Sequence, residues 1–164
     1  MMISKKLAIG IAAVVVLIGM TLARPPMVHA AGSDDSPKSA PSDPTYSAAL
    51  KNVESNKFAE AVPLLQQYVA ANPKNADAYN YLGYSHRKLG KFDDALGAYE
   101  QALAINPEHR GALEYLGELY LKTNRLDLAK KQLDKLDNLC FFPCAEFTQL
   151  KSRVAEYKQK KVGG

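Results

Sequence analysis

The chain has 164 residues, 47% of them hydrophobic, and a formal net charge of +4. This length allows one ordinary domain rather than two large ones. The charge would suit a nucleic-acid-binding protein, but Lys5, Lys6 and Arg24 precede residue 31 and no acidic residue does. The rest of the chain holds 18 basic and 17 acidic residues, so the composition argues against a nucleic-acid partner.

Residues 1–30 have the form of a secretory signal peptide. Two lysines are followed by a run of 17 uncharged residues from Leu7, and small residues then lead to a cleavage site between Ala30 and Ala31. Because this run is also at the lower limit for a membrane span, an uncleaved N-terminal anchor is the alternative. We expect a periplasmic or secreted protein, or in the alternative one anchored in the inner membrane.

Residues 31–43 form the next segment. They contain Ser, Asp, Pro, Ala, Gly and Lys, and no aromatic or branched apolar side chain. Such a segment cannot bury enough apolar surface to offset the entropy of ordering it. We therefore predict a disordered linker.

From Tyr46 onward, a shift of 34 residues superimposes the chain on itself. The aligned sets are Ala61, Ala95 and Ala129; Phe58, Phe92 and Leu126; Asn56, Gly90 and Asn124; and Leu82-Gly83 with Leu116-Gly117. Matching residue types at many offsets of one period indicate a repeat architecture.

Within each unit, apolar residues recur at helical spacing on two stripes. The stripes are separated by Asn56, Gly90 or Asn124, residue types that tolerate a left-handed backbone at a helix end. Asn72-Pro73 and Asn106-Pro107 end the second stripe, because the residue before proline is pushed out of the helical region. Each unit is thus predicted to be a helix, a tight turn and a second helix, with Pro63 placed to bend one of the second helices.

The pattern resembles the tetratricopeptide repeat family, most closely over residues 76–109. Weaker units cover residues 42–75 and 110–138. Because the linker is taken to end at residue 43, the domain of three repeats is assigned to residues 44–138. The resemblance implies an all-α fold, in which three antiparallel helical hairpins form a right-handed superhelix (an α-solenoid).

Residues 139–164 are predicted to form a Cys-bracketed turn and a capping helix. The helix is expected from Cys144 to Lys160, with Phe147, Leu150, Val154 and Tyr157 on one face. A stack of repeats leaves its last apolar face open, and a helix with a polar outer surface closes it.

Cys140 and Cys144 lie four residues apart around Phe-Phe-Pro. In an exported protein, two thiols this close are expected to form a disulfide. A thiol–disulfide activity is the alternative, although the spacing is not that of the C-x-x-C motif.

The sequence offers little else for catalysis or metal binding. His86 lies on the apolar face of a predicted first helix, and His109 follows an inter-unit Asn-Pro-Glu, where we expect it to face solvent. No nucleophile motif, phosphate-binding loop or metal-ligand spacing is visible. We predict a non-enzyme without a cofactor or a metal site.

In the resembled family, the first helices of successive units line a concave groove that binds peptides. Mapped by position, the candidate groove residues are Tyr46, Leu50, Asp77, Asn80, Tyr84, Arg87, Lys88, Glu114, Glu118 and Leu121, with Val53 and Lys122 beside them. The positions of the family's carboxylate clamp hold Tyr46, Leu50, Tyr81, Gly111 and Tyr115, which lack that chemistry.

We therefore expect a scaffold that binds a protein or peptide partner in the cell envelope. A thiol–disulfide activity at the cysteine pair is one alternative, and a membrane-tethered assembly factor with a retained leader is another. A membrane partner is expected only if the leader stays uncleaved.

Overall fold

A computed structural model describes residues 43–162, so the predicted leader and nearly all of the predicted linker lie outside the described residues. The described part contains seven helices and no strand, which confirms the all-α class. The helices are α1 (Pro44–Glu54), α2 (Phe58–Ala71), α3 (Ala76–Lys88), α4 (Phe92–Ile105), α5 (Arg110–Lys122), α6 (Leu126–Leu139) and α7 (Ala145–Val162).

The tight turns inside the three hairpins share one backbone feature. Asn56, Gly90 and Asn124 all have positive φ, at 58°, 76° and 59°. These are the three positions, 34 residues apart, at which the sequence predicts a left-handed residue. Asn and Gly adopt this conformation at less steric cost than other residues, so the chain reverses within a few residues at each point.

Side-chain caps begin the three odd-numbered helices of the hairpins. Asp43 Oδ1 accepts hydrogen bonds from the backbone N–H groups of Thr45 and Tyr46, and Asn75 Oδ1 accepts one from Ala78 N–H at 2.9 Å. The third cap is His109. These caps satisfy N–H groups that a helix start leaves without an intrahelical partner.

Prolines lie in one of the predicted helices and just before another. Helix α2 continues through Pro63, which is exposed. Helix α7 begins at Ala145, one residue after the predicted start, and Pro143 lies in the turn before it.

The helices form two layers of unequal curvature. Successive odd helices contact one another, α1 with α3, α3 with α5 and α5 with α7, whereas no contact joins α2 to α4 or α4 to α6. Since the odd helices lie closer together, they form the inner, concave layer of the stack. Helix α5 is central to this layer and is almost wholly buried.

Helix α7 completes the core at the C-terminal end of the stack. Leu150 and Val154 are buried in the same apolar cluster as Leu116, Leu119 and Tyr120 of α5. A Cβ added at Gly117 would lie 2.5 Å from a methyl carbon of Leu150, so α5 and α7 approach closely because that position has no side chain.

We predict that Leu150→Ala lowers the free energy of unfolding by about 2–5 kcal/mol, because the leucine is fully buried and its removal leaves a cavity. Chemical denaturation followed by circular dichroism measures the change. The control is Gln149→Ala, an exposed position on the same helix that is expected to have little effect. Equal stability of the two variants would contradict the capping role of α7.

Candidate functional site

A cavity of about 350 Å³ opens on the concave layer at the C-terminal ends of α3, α5 and α7. The residues that line it are Arg87, Lys88, Glu118, Leu121, Lys122, Arg153, Glu156, Tyr157 and Lys160. Five are cations and two are carboxylates, so the cavity has an excess of three positive charges at neutral pH. The last turns of three helices converge here, and their partial negative charge favours the nearby lysines.

Lys88, Lys122 and Lys160 are exposed and have no carboxylate within ion-pair distance among residues 43–162. The Lys88 ammonium lies 5.2 Å from the centre of the Tyr84 ring and 6.0 Å from that of Phe58. Aromatic faces of this kind attract a cation without neutralising it. The three lysines therefore remain able to bind an anionic group.

The two arginines at the cavity are already engaged within the protein. Arg87 Nη1 lies 2.7 Å from Glu118 Oε2, its Nε donates to the hydroxyl of Tyr99 at 3.2 Å, and its guanidinium stands over the Tyr115 ring. Arg153 on α7 approaches the other oxygen of Glu118 at 3.4 Å. Glu118 thus joins α3, α5 and α7 through two arginines.

Arg153 also pairs with Glu156 on its own helix, at 3.3 Å. Tyr157 reaches the turn between α5 and α6, where its hydroxyl donates a hydrogen bond to Asn124 Oδ1 at 3.1 Å. These contacts fix the face of α7 that borders the cavity.

One turn before Glu118, Glu114 has an unusual environment. The residue is only 4% exposed, and no hydrogen bond or ion pair reaches its carboxyl group from the described residues. Burial, followed by the charges of Glu118 and Glu146, raises the pKa of Glu114 to about 8, against the opposing effect of Arg87 and Arg153. The carboxyl group is therefore mostly protonated at neutral pH.

His109 lies at the opposite end of the concave layer. The prediction that it faces solvent is wrong, because the residue is buried. Its Nδ1 accepts a hydrogen bond from Ala112 N–H at 3.1 Å, so in the neutral ring the proton is on Nε2, which lies 2.9 Å from Asp77 Oδ1. The imidazole thereby caps α5 and ties it to the start of α3. The 34-residue shift aligns His109 with Asn75, the cap of α3, so the period marked this position although the residue type did not suggest a cap.

The structure distributes the predicted groove residues over three environments. Tyr84, Arg87, Lys88, Glu118 and Leu121 lie at or beside the cavity, together with Lys122. Asp77, Asn80 and Glu114 lie on the same helices toward the other end, and Asn80 is completely buried. Tyr46 and Leu50 lie on α1, where Tyr46 stacks on Tyr68 with 4.4 Å between ring centres.

Sequence reasoning missed the four α7 residues of the cavity, Arg153, Glu156, Tyr157 and Lys160. It treated the polar surface of α7 as the solvated back of a cap. The sequence did contain a signal for this surface, because these residues recur at helical spacing beside the apolar stripe of α7. Helix α7 also occupies the place that the first helix of a fourth repeat would take.

The structure joins Cys140 and Cys144 by a disulfide, with their Cα atoms 5.7 Å apart. The bond closes the short connection between α6 and α7. Phe141 and Phe142 lie inside this loop and are 94% and 77% exposed. The two cysteines are separated by one residue more than in the C-x-x-C motif, and the bond constrains the approach of the cap helix.

Residues 43–162 contain neither a metal-binding cluster nor a membrane-spanning helix. No group of three or more His, Cys, Asp or Glu side chains in this range could hold a metal ion. No helix in this range has the length and apolar character that crossing a membrane requires.

Sequence comparison recognises tetratricopeptide repeats in this chain. One profile of the family matches residues 46–91 and another matches residues 76–109. A search of curated protein sequences gave no match.

Solved structures share the fold at low sequence identity. The type III secretion translocator chaperone SycD of Yersinia enterocolitica is 21% identical, with a TM-score of 0.65 over 71% of this chain and 83% of its own. SycD in complex with a peptide of the translocator YopD is 22% identical, with a TM-score of 0.62 over 71% and 92%. The first repeat domain of Spaghetti (RPAP3) bound to an HSP90 peptide is 19% identical, with a TM-score of 0.64 over 72% and 90%.

We predict that Glu114 makes the stability of the wild-type protein fall between about pH 5 and pH 8. The folded state keeps its proton up to a pKa of about 8, whereas the unfolded chain releases it near the ordinary value of 4.5, so raising the pH favours unfolding. The slope is at most about 1.4 kcal/mol per pH unit. Glu114→Gln, which resembles the protonated carboxyl group, should remove it.

The measurement is urea denaturation at a series of pH values for the wild type, Glu114→Gln and the control Glu156→Gln. Glu156 is half exposed, and its substitution should leave the pH dependence of the wild type in place. If the free energy of unfolding changes with pH in the same way for the wild type and Glu114→Gln, the burial of an ionisable group at this position is contradicted.

Proposed function

We propose that this protein is an exported, non-catalytic scaffold that binds an acidic peptide segment of a partner protein in the groove formed by α3, α5 and α7. The observation that carries the proposal is the cavity on the concave layer. It combines three lysines without a carboxylate partner with an apolar floor at Leu121 and Tyr157. Carboxylate side chains satisfy the lysines, while the floor contacts the apolar parts of the segment.

The preformed shape of the groove supports binding. Its walls are rigid helices, and the Arg87–Glu118–Arg153 contacts hold the inner faces of α3, α5 and α7 together before any ligand arrives. A preorganised site loses less side-chain entropy on association than a mobile one. Two of the solved structures with this fold, SycD and the RPAP3 domain, hold a peptide.

The location of this function rests on the leader. A signal of the form seen in residues 1–30 directs the chain out of the cytoplasm, and a disulfide between Cys140 and Cys144 suits an oxidising compartment. We propose a partner in the cell envelope, met by the cleaved protein in the periplasm. Retention of the leader would instead make the protein a membrane-tethered assembly factor with the same groove.

We predict that the double substitution Lys122→Glu/Lys160→Glu weakens capture of the partner by roughly tenfold, which corresponds to about 1.4 kcal/mol. Reversing two of the three free positive charges makes the cavity repel carboxylates. A photo-crosslinking amino acid at position 89, an exposed position next to Lys88, reports capture in intact cells, and mass spectrometry of the adduct identifies the bound segment.

Lys131→Glu/Lys135→Glu on α6 is the matched control. It makes the same change of charge at exposed positions outside the concave layer and should leave capture unchanged. The proposal fails if both double variants lose capture equally, or if the crosslinked segment carries no acidic residues.

Cys140→Ser/Cys144→Ser separates this function from the thiol–disulfide alternative. Under the groove hypothesis the double variant keeps most of the capture signal, because neither sulfur borders the cavity. If the loss of both thiols abolished capture in a variant that still folds, the thiol–disulfide function would be favoured.

A further inference from the structure

Charge is distributed unevenly along the concave layer. The lysines lie at the C-terminal ends of α3, α5 and α7, whereas Glu114 lies eight residues before Lys122 on α5, about 12 Å away along the helix axis. Glu118 and Glu146 are close enough to raise the pKa of Glu114, so three acidic side chains lie near one another at this second position.

Glu114 is the buried, unpartnered member of this acidic cluster. At 4% exposure it has lost almost all contact with water, yet no described group donates a hydrogen bond to it. Four other side-chain atoms of the described residues are shielded from solvent and have no partner, but the Glu114 carboxyl oxygens are not among them. The small exposed part of Glu114 therefore includes its carboxyl group. A buried polar group of this kind normally has a partner.

The charged side chains around Glu114 cannot serve as that partner. They are Glu118 on its own helix, Arg87 on α3, and Glu146 and Arg153 on α7. Arg87 is held by Glu118 and Tyr99, and Arg153 by Glu118 and Glu156. The site has a buried acceptor but lacks a cation of its own.

We propose that Glu114 is the subsite for one lysine or arginine side chain of the bound segment. This inference rests on the proposed function, since the same segment places its acidic residues against Lys88, Lys122 and Lys160. A separation of about 12 Å corresponds to three or four residues of an extended chain. The groove therefore selects a segment with a cationic residue three or four positions from an acidic one, and it fixes the direction in which the segment lies.

Binding of a cation at this subsite is coupled to release of a proton. An ammonium or guanidinium group favours the ionised carboxylate, and the buried carboxyl group carries a proton at neutral pH because its pKa is about 8. Below that pKa the incoming cation must displace the proton, so affinity rises with pH and levels off above pH 8. The cation of the ligand stays charged over this range, since lysine titrates near pH 10.4.

The test is selection of peptides from a random dodecapeptide display library on the purified protein at pH 8. It is run with the wild type, Glu114→Gln and the control Glu60→Gln, which neutralises an exposed carboxylate on α2, outside the cavity. The dissociation constant of the most enriched wild-type peptide is then measured for each protein at pH 6 and pH 8. Circular dichroism confirms that each variant is folded.

We expect wild-type selection to enrich acidic residues together with one Lys or Arg three or four positions away. Affinity for the leading peptide should rise at least fivefold from pH 6 to pH 8. With Glu114→Gln, the Lys or Arg enrichment and the pH dependence should disappear while the acidic enrichment remains, and Glu60→Gln should behave as the wild type.

The outcomes separate this inference from the proposed function. If acidic residues are enriched but the Lys or Arg preference is absent, or survives Glu114→Gln, the subsite is wrong and the acidic groove stands. If the library yields no acidic enrichment on the wild type, the proposed function fails and the subsite fails with it.

Discussion

The guanidinium of Arg87 lies where three helices of the stack meet, and the groove depends on its contacts. It pairs with Glu118 of α5 at 2.7 Å, donates a hydrogen bond to the Tyr99 hydroxyl of α4, and stands over the Tyr84 and Tyr115 rings. A buried charge is tolerated only when it is paired and hydrogen-bonded, so these contacts hold the Arg87 and Glu118 side chains in one arrangement. Arg153 then extends the network to α7 through the second oxygen of Glu118.

This network determines which charges are available to a partner. By engaging two arginines and two carboxylates with one another, it leaves the three cavity lysines and Glu114 without an ion-pair partner among residues 43–162. The cap helix is part of the same arrangement. Leu150 and Val154 bury its inner face against α5, which brings Arg153, Tyr157 and Lys160 to the edge of the cavity. A helix that closes the core therefore also completes the groove.

The sequence predicted the features that arise from local backbone chemistry and from the 34-residue repeat period. The 34-residue shift located the three left-handed turns at Asn56, Gly90 and Asn124, and the apolar stripes located the helices. Features that depend on contacts between distant repeats were not predictable in this way. His109 is buried beside Asp77, 32 residues earlier, which accepts its ring N–H, and the pKa of Glu114 depends on its burial and on charged residues of α3 and α7.

The central claim is that an acidic segment binds at the lysine end of α3, α5 and α7. Its most direct test is NMR titration of the isotope-labelled protein with hexaglutamate at low salt, which follows each backbone amide and lysine side chain. The account predicts that shift changes concentrate at Lys88, Lys122 and Lys160 and weaken as salt is added. Changes spread evenly over exposed lysines of α6, or confined to the Phe141–Phe142 loop, would contradict it.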